Sequence, residues 1–202
     1  MSLTVSVIDA FKKSFEKRCV SLLVSAYHTS ITNHEYKADW MENDFTSLLD
    51  KHIDKDPNRK KWKINCHIEH HLHTDKTNNR KGYANKESRI DMRLSTFSST
   101  DECLFYVEAK RLKEKDNGLL SRYVDTGIDN YLTKKYPYGI LVGYLIKGDV
   151  DATIGNINTI LKKKNRINEV LSRKIHPIHN QYFESTHPDF GIISHFVFDF
   201  TV

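Results

Sequence analysis

The run Cys103-Leu-Phe-Tyr-Val-Glu-Ala-Lys110 constrains this chain more than any other stretch. It reads as an almost continuously buried β-strand whose apolar pattern is broken only at Glu108 and Lys110. Side chains two apart on a strand share a face, so Glu108 and Lys110 project together, with Tyr106 one step earlier on the same side. Charges that end a buried strand are costly unless something compensates them, so this break marks a place where chemistry is expected.

The surrounding pattern supplies an architecture. Val5, Ile8, Phe11, Phe15, Val20, Leu22 and Leu23 recur at helical spacing and predict an amphipathic helix over 5–27, with Lys12, Lys13, Lys17 and Arg18 on its other side. After the polar stretch Thr29 to Glu35, the spacing of Trp40, Met41, Phe45, Leu48, Leu49 and Ile53 predicts a second helix. It carries Glu42 near its start and is ended by Asp56-Pro57-Asn58. The period then changes to two: Ile64, Cys66, Ile68, His70 and Leu72 alternate with Asn65, His67, Glu69, His71 and His73, as in a strand with one buried face. A basic loop, Thr74 to Lys86, leads to Arg89-Ile-Asp-Met-Arg-Leu94, where Ile90, Met92 and Leu94 are expected on one face and Asp91 on the other. Downstream come a third helix from about Leu119 to Leu132, an apolar strand Ile140 to Ile146, a helix whose apolar positions run from Ile154 to Leu171, and a strand from Phe190 to Phe200. The order is ααβββαβαβ. With no internal repeat and no linker, the expectation is one α/β domain over 1–202, a mixed sheet with flanking helices and the first helix packed on it.

The net charge of +5 and a pI near 8.9 suit a polyanionic partner without requiring one. Cys19, Cys66 and Cys103 have no CxxC spacing and sit among apolar residues, as buried thiols do. No stretch reaches the roughly 20 apolar residues of a membrane helix, and Met1-Ser-Leu-Thr lacks a signal-peptide pattern. A cytoplasmic protein away from the membrane is therefore expected. The histidines His67, His70, His71 and His73 invite a zinc reading, but alternation splits them between two faces, so they fit a polar strand face better than a tetrahedral site.

If the second and third strands pair as an antiparallel hairpin, Asp91 stands beside Glu108, placing two carboxylates and an amine in one small space. Two such carboxylates repel unless a cation joins them, and hard oxygen ligands favour Mg²⁺, with Mn²⁺ able to substitute. Beside them Lys110 should stay protonated unless burial outweighs the attraction, which suits it to positioning and charge stabilisation. Asp91, then sixteen residues, then Glu108-Ala109-Lys110 at the end of an apolar strand resembles the PD-(D/E)XK nuclease superfamily. Ile90, rather than proline, precedes Asp91. Glu35-Tyr-Lys37 is a second acidic-x-Lys triplet, but it has no strand before it.

The resemblance implies a restriction-endonuclease-like sheet core and Mg²⁺-dependent hydrolysis of DNA phosphodiester bonds, in restriction, defence, repair or mobile-element maintenance. It implies Asp91, Glu108 and the Ala109 backbone carbonyl as metal ligands and Lys110 as the residue that assists the attacking water. It also implies a glutamate at the start of the helix before the sheet, for which Glu42 is chosen over Asp44. A polar residue of the third helix often joins such sites, and Arg122, Tyr123, Asp125 and Asn130 include candidates among which spacing does not choose. Basic residues near the site in the chain, Lys60, Lys61, Lys63, Arg80, Lys81, Arg93, Arg111 and Lys113, are candidate nucleic-acid contacts. DNA is favoured over RNA by the resemblance alone, and cutting both strands of a duplex is simplest for a homodimer. The competing reading is a non-cleaving nucleic-acid-binding module of the same fold, or a subunit that needs a partner.

Overall fold

The apolar runs pair into one seven-stranded mixed sheet in a computed structural model that describes residues 2–72, 89–98, 101–136 and 139–202. The elements are α1 (Ser2–Thr32), α2 (Glu42–Lys55), α3 (Pro57–Lys61), β1 (Asn65–His71), β2 (Arg89–Ser98), β3 (Asp101–Lys113), α4 (Asn117–Arg122), α5 (Asp129–Leu132), β4 (Gly139–Lys147), α6 (Val150–Lys163), β5 (Ser172–Arg173), β6 (Tyr182–His187) and β7 (Gly191–Asp199). The strand order is β1-β2-β3-β4-β7-β6-β5. β3, β4 and β7 are parallel at the centre, and antiparallel pairs flank them on both sides. Parallel strands need both faces covered. Accordingly one core packs Phe15, Cys19 and Leu23 of α1 with Phe45 and Leu49 of α2 onto Phe105, Val107, Val142 and Phe198. The other packs Leu120, Tyr123, Ile128 and Ile157 onto Leu112, Leu141, Leu145 and Val197. Among the described residues no helix is long and apolar enough to cross a membrane. His73, Arg80 and Lys81, with the rest of the basic loop, lie outside the described residues.

Several elements differ from the sequence expectation. α1 continues to Thr32, where Ser30 bonds back to the Ala26 carbonyl. Asp56-Pro57-Asn58 ends α2 at Lys55 as expected but also opens a further short helix: the Asp56 side chain accepts from Asn58 N–H at 2.8 Å and Pro57 starts α3. The third helix is broken, because a π-helical turn, Tyr123–Ile128, joins α4 to α5. Gly127 in that turn lets it close on the sheet; a β-carbon there would lie 3.0 Å from Leu141 and 3.5 Å from the Lys110 side chain.

α6 stops at Lys163, well short of Leu171. Asn165 adopts φ 60°, and the N–H groups of Asn165 and Arg166 bond back to Lys162 and Leu161, closing the helix end. The apolar residues after it belong to a short 3₁₀ turn, Ile167–Glu169, and to the approach to β5. The hairpin of β5 and β6 is absent from the expected order. Finally, Ile90 packs in the second core while Met92 and Leu94 pack in the first. β2 changes face at Asp91, where its pairing with β3 has ended and nothing holds it to the pleat of that neighbour.

The second core contains a buried polar chain. Tyr123 Oη lies 3.0 Å from His195 Nδ1, His195 Nε2 and His187 Nε2 each lie 2.7 Å from Ser185 Oγ, and His187 Nδ1 lies 2.7 Å from Glu169, which also receives Arg166. One assignment of protons satisfies every member: His187 donates from Nδ1 to Glu169, Ser185 donates to His187, His195 donates from Nε2 to Ser185, and Tyr123 donates to His195. Burial holds His195 neutral, with its pKa pushed down to about 3.

Candidate active site

The ladder between β2 and β3 starts at Ser98↔Asp101 and its last pair is Met92↔Val107. Beyond it β2 keeps its pairing with β1, through Ile90↔His70 and Arg89↔His71, while β3 runs on beside β4 alone, from Glu108↔Leu141 to Lys113↔Lys147. The sheet therefore forks. On the edge that β2 has left, Ala109 and Arg111 present backbone groups, since alternate residues of a strand aim N–H and C=O to the same side. Buried backbone groups need partners. Ala109 N–H donates to Asp91 Oδ2 at 2.7 Å, and Arg111 N–H donates to Glu42 Oε2 at 2.9 Å. Two carboxylates thus stand where the missing strand would have supplied carbonyls.

Each carboxylate is placed by its own element. Asp91 sits on β2 at the point of divergence. Glu42 is the first residue of α2, whose apolar face, Phe45, Leu49 and Ile53, anchors it in the first core. Asp44 does not enter the site, because its carboxylate accepts the Met41 N–H at 2.7 Å and caps the helix. Glu108 and Lys110 share the face of β3 that looks toward the π turn, and their side chains are only 5% and 7% exposed.

The oxygens converge on one ammonium. Lys110 Nζ lies 2.6 Å from the Ala109 carbonyl, 2.7 Å from Glu108 Oε1, 3.3 Å from Glu42 Oε1 and 3.8 Å from Asp91 Oδ2. Burial alone would lower the Lys110 pKa, but the charges of Glu108, Asp91 and Glu42 more than offset it and the net shift is upward. Lys110 is a fixed cation. Asp91 moves the other way: burial and then the neighbouring Glu108 charge raise its pKa to about 7, against the pull of Lys110 and of the Ala109 N–H. One ammonium is insufficient for three carboxylates.

Of the third-helix candidates, Asn130 Nδ2 reaches Glu108 Oε1 at 3.4 Å, and Arg122 Nη2 stands 4.0 Å from Glu42 Oε1 with its side chain 57% exposed. Tyr123 faces His195 instead, and Asp125 pairs with Lys164. The spacing could not choose among the four; the π turn does, because it rotates Asn130 into register with Glu108.

The proposed nucleic-acid contacts are not all near this fork. Lys60 and Lys61 lie on α3, and the Lys63 carbonyl accepts from Thr96 Oγ1. Thr96 is five residues along β2 from Asp91, roughly 17 Å at about 3.3 Å per residue. These lysines are at the opposite end of the sheet. Arg93 is engaged by Glu102 and His70, and the Arg111 guanidinium donates to the Trp40 carbonyl at 2.8 Å. Lys113 lies three residues past Lys110, at the end of β3.

The comparisons come to one result. No family model, curated protein or solved structure matches this chain.

The donor set can be tested against a hard divalent cation. Among the described residues no three His, Cys, Asp or Glu side chains form a group ready to hold a metal ion. The three acidic side chains are instead drawn onto Lys110, and the fourth oxygen comes from the backbone of Ala109. Glu108 Oε2 is buried and no hydrogen bond reaches it, which leaves a desolvated carboxylate oxygen with unused capacity beside Asp91. Carboxylate and carbonyl oxygens of this kind fit Mg²⁺ or Mn²⁺.

Proposed function

We propose that this chain is a metal-dependent nuclease of the PD-(D/E)XK kind, with a restriction-endonuclease-like core, hydrolysing phosphodiester bonds of DNA. The observation that carries the reading is the convergence of Asp91, Glu108, Glu42 and the Ala109 carbonyl on a single cation position at the fork of β2 and β3. An ion pair serving stability alone needs one carboxylate for one ammonium, whereas this site gathers three and leaves Asp91 with a raised pKa.

Asp91, Glu108 and the Ala109 carbonyl would hold Mg²⁺ or Mn²⁺, with Glu42 beside them. Such an ion supplies Lewis-acid stabilisation of phosphate charge and makes a nearby water easier to deprotonate. Lys110, kept protonated by its neighbours, donates from Nζ to orient that water and to stabilise the charge that grows on the phosphate oxygens as the bond to the leaving oxygen breaks. Asn130 restrains Glu108, and Arg122, with its side chain 57% exposed beside Glu42, supplies a solvent-facing cation for a substrate phosphate. Glu42 keeps its place by bonding the Arg111 N–H, so its geometry does not depend on bound substrate.

Cleavage of supercoiled, linear and single-stranded DNA, with RNA in parallel, by wild type and Glu108→Ala in Mg²⁺, Mn²⁺ or EDTA tests the reading. Metal-dependent cutting by the wild type that is lost in the variant is the expected result. DNA binding by both proteins without cutting by either would replace the nuclease with a non-cleaving binding module.

A further inference from the structure

A cleft of about 420 Å³ opens at the C-terminal ends of β3 and β4, bounded by Lys113, Glu114, Lys115, Asp116, Lys147 and Gly148. Its two acids face backbone donors: Glu114 Oε2 accepts the Asp149 N–H at 3.1 Å, and Asp116 Oδ1 accepts the Leu119 N–H at 3.0 Å to cap α4. Its three lysines have no such partners. Among the described residues no ion pair or side-chain hydrogen bond engages Lys113, Lys115 or Lys147. A register shift after Leu112 pairs Lys113 with Lys147 and ends the parallel ladder of β3 and β4, which leaves both lysines at the rim of the cleft.

The cleft has a fixed distance to the carboxylate fork. Along β3, Lys113 is three residues from Lys110, on the order of 10 Å. Along the other wall, α4 runs from its cap Asp116 at the cleft to Arg122 beside Glu42, about 9 Å at 1.5 Å per residue. The two paths agree.

We propose that Lys113, Lys115 and Lys147 form a subsite for a backbone phosphate of the nucleic acid, on the order of three nucleotides from the bond that is cut, at about 3.4 Å of rise per nucleotide. This rests on the nuclease reading for its distance but not for its chemistry, since phosphate capture needs no cleavage. The lysines supply charge and Arg122 continues the track toward the fork. Sequence specificity is not expected from them, because phosphate contacts position a duplex without reading its bases.

The test is the Kd of the full chain for a DNA duplex as a function of salt, measured in Ca²⁺ or EDTA so that cleavage does not intervene. The variants are K115Q/K147Q, both at exposed positions, and the charge-matched K60Q/K61Q at the far end of the sheet; thermal melting checks that both fold. For K115Q/K147Q we expect a loss of affinity of about tenfold or more at low salt and a log Kd against log[salt] slope shallower by about one, the signature of one lost phosphate contact. K60Q/K61Q should keep the wild-type slope. Equal slopes for wild type and K115Q/K147Q would overturn the subsite, as would wild type that binds no DNA. If wild type fails to cut in Mg²⁺ or Mn²⁺ while the slope still falls in K115Q/K147Q, the nuclease reading fails and the subsite stands.

Discussion

Replacing Lys110 with methionine probes the fork most directly. The substitution keeps an unbranched side chain, one heavy atom shorter, and removes the ammonium with its donors, leaving Glu108, 5% exposed, beside Asp91 with only the exposed Arg122 near Glu42 as a cation. Removing one partner of a buried ion pair typically costs about 3–5 kcal/mol. For a chain of this size, about 2–4 °C of Tm per kcal/mol gives a loss of roughly 6–20 °C. Protonation of Asp91 would relieve part of the repulsion, and losing Lys110 raises its pKa further above the wild-type value of about 7, so the comparison is made at pH 8 and again at pH 9. In EDTA, Lys110→Met should melt far below wild type. Titration with Mn²⁺ should then restore it, by about 2.7 kcal/mol at a concentration one hundred times Kd, and should raise its Tm more than that of wild type, in which the ammonium competes for the same oxygens. Catalysis plays no part in this readout. A cost below about 1 kcal/mol in EDTA, or an equal Mn²⁺ shift in both proteins, would refute the argument that these oxygens form one cation position.

Two further outcomes follow from the same geometry. The folded pKa of Asp91 is raised above its unfolded value, so its contribution to stability is fully present below about pH 4 and is lost as pH rises through about 7. Urea unfolding in EDTA should show wild type weakening across that window and Asp91→Asn flattening it; a wild-type profile that rises there would contradict the assignment. Gly139 has φ +155°, and a β-carbon on it would lie 1.9 Å from the Tyr106 carbonyl oxygen of β3. Gly139→Ala should therefore lower stability by on the order of 3 kcal/mol, and an unchanged urea midpoint would show that β4 can shift relative to β3.

The residues that meet at the fork were legible in the sequence because they rest on short-range rules. Glu108 and Lys110 interrupt a buried strand with the two-residue period that only a strand imposes, and Asp91 precedes them on a strand of its own. What joins them was not legible. That Asp91 and Glu42 bond the Ala109 and Arg111 N–H groups depends on where β2 departs from β3, a property of the assembled sheet. Asn130 was hidden among four candidates because a regular α-helix spaces residues differently from one with a π turn. β6 carries no clear apolar alternation for a chemical reason: Ser185 and His187 are polar, and only the chain of hydrogen bonds through His195 and Glu169 makes them tolerable inside. The helix expected to reach Leu171 failed because its apolar spacing continues past Asn165, whose left-handed backbone ends it. The readings that failed are those in which a single local conformation or a distant partner overrides periodicity.

The position of β7 has a kinetic consequence. It lies between β4 and β6, and its pairing with β4 joins Ile140 to Ser194, whereas the β2–β3 and β6–β7 hairpins close over only a few residues. Loop closure must be met before a distant contact stabilises anything, so the hairpins should form early and the parallel seam late. Until that seam closes, β4 has an open edge lined by Leu141, Val142 and Leu145, the kind of surface on which a second unfinished chain can pair. Refolding yield should therefore fall as protein concentration rises. A yield independent of concentration would show that the seam closes faster than two chains can meet.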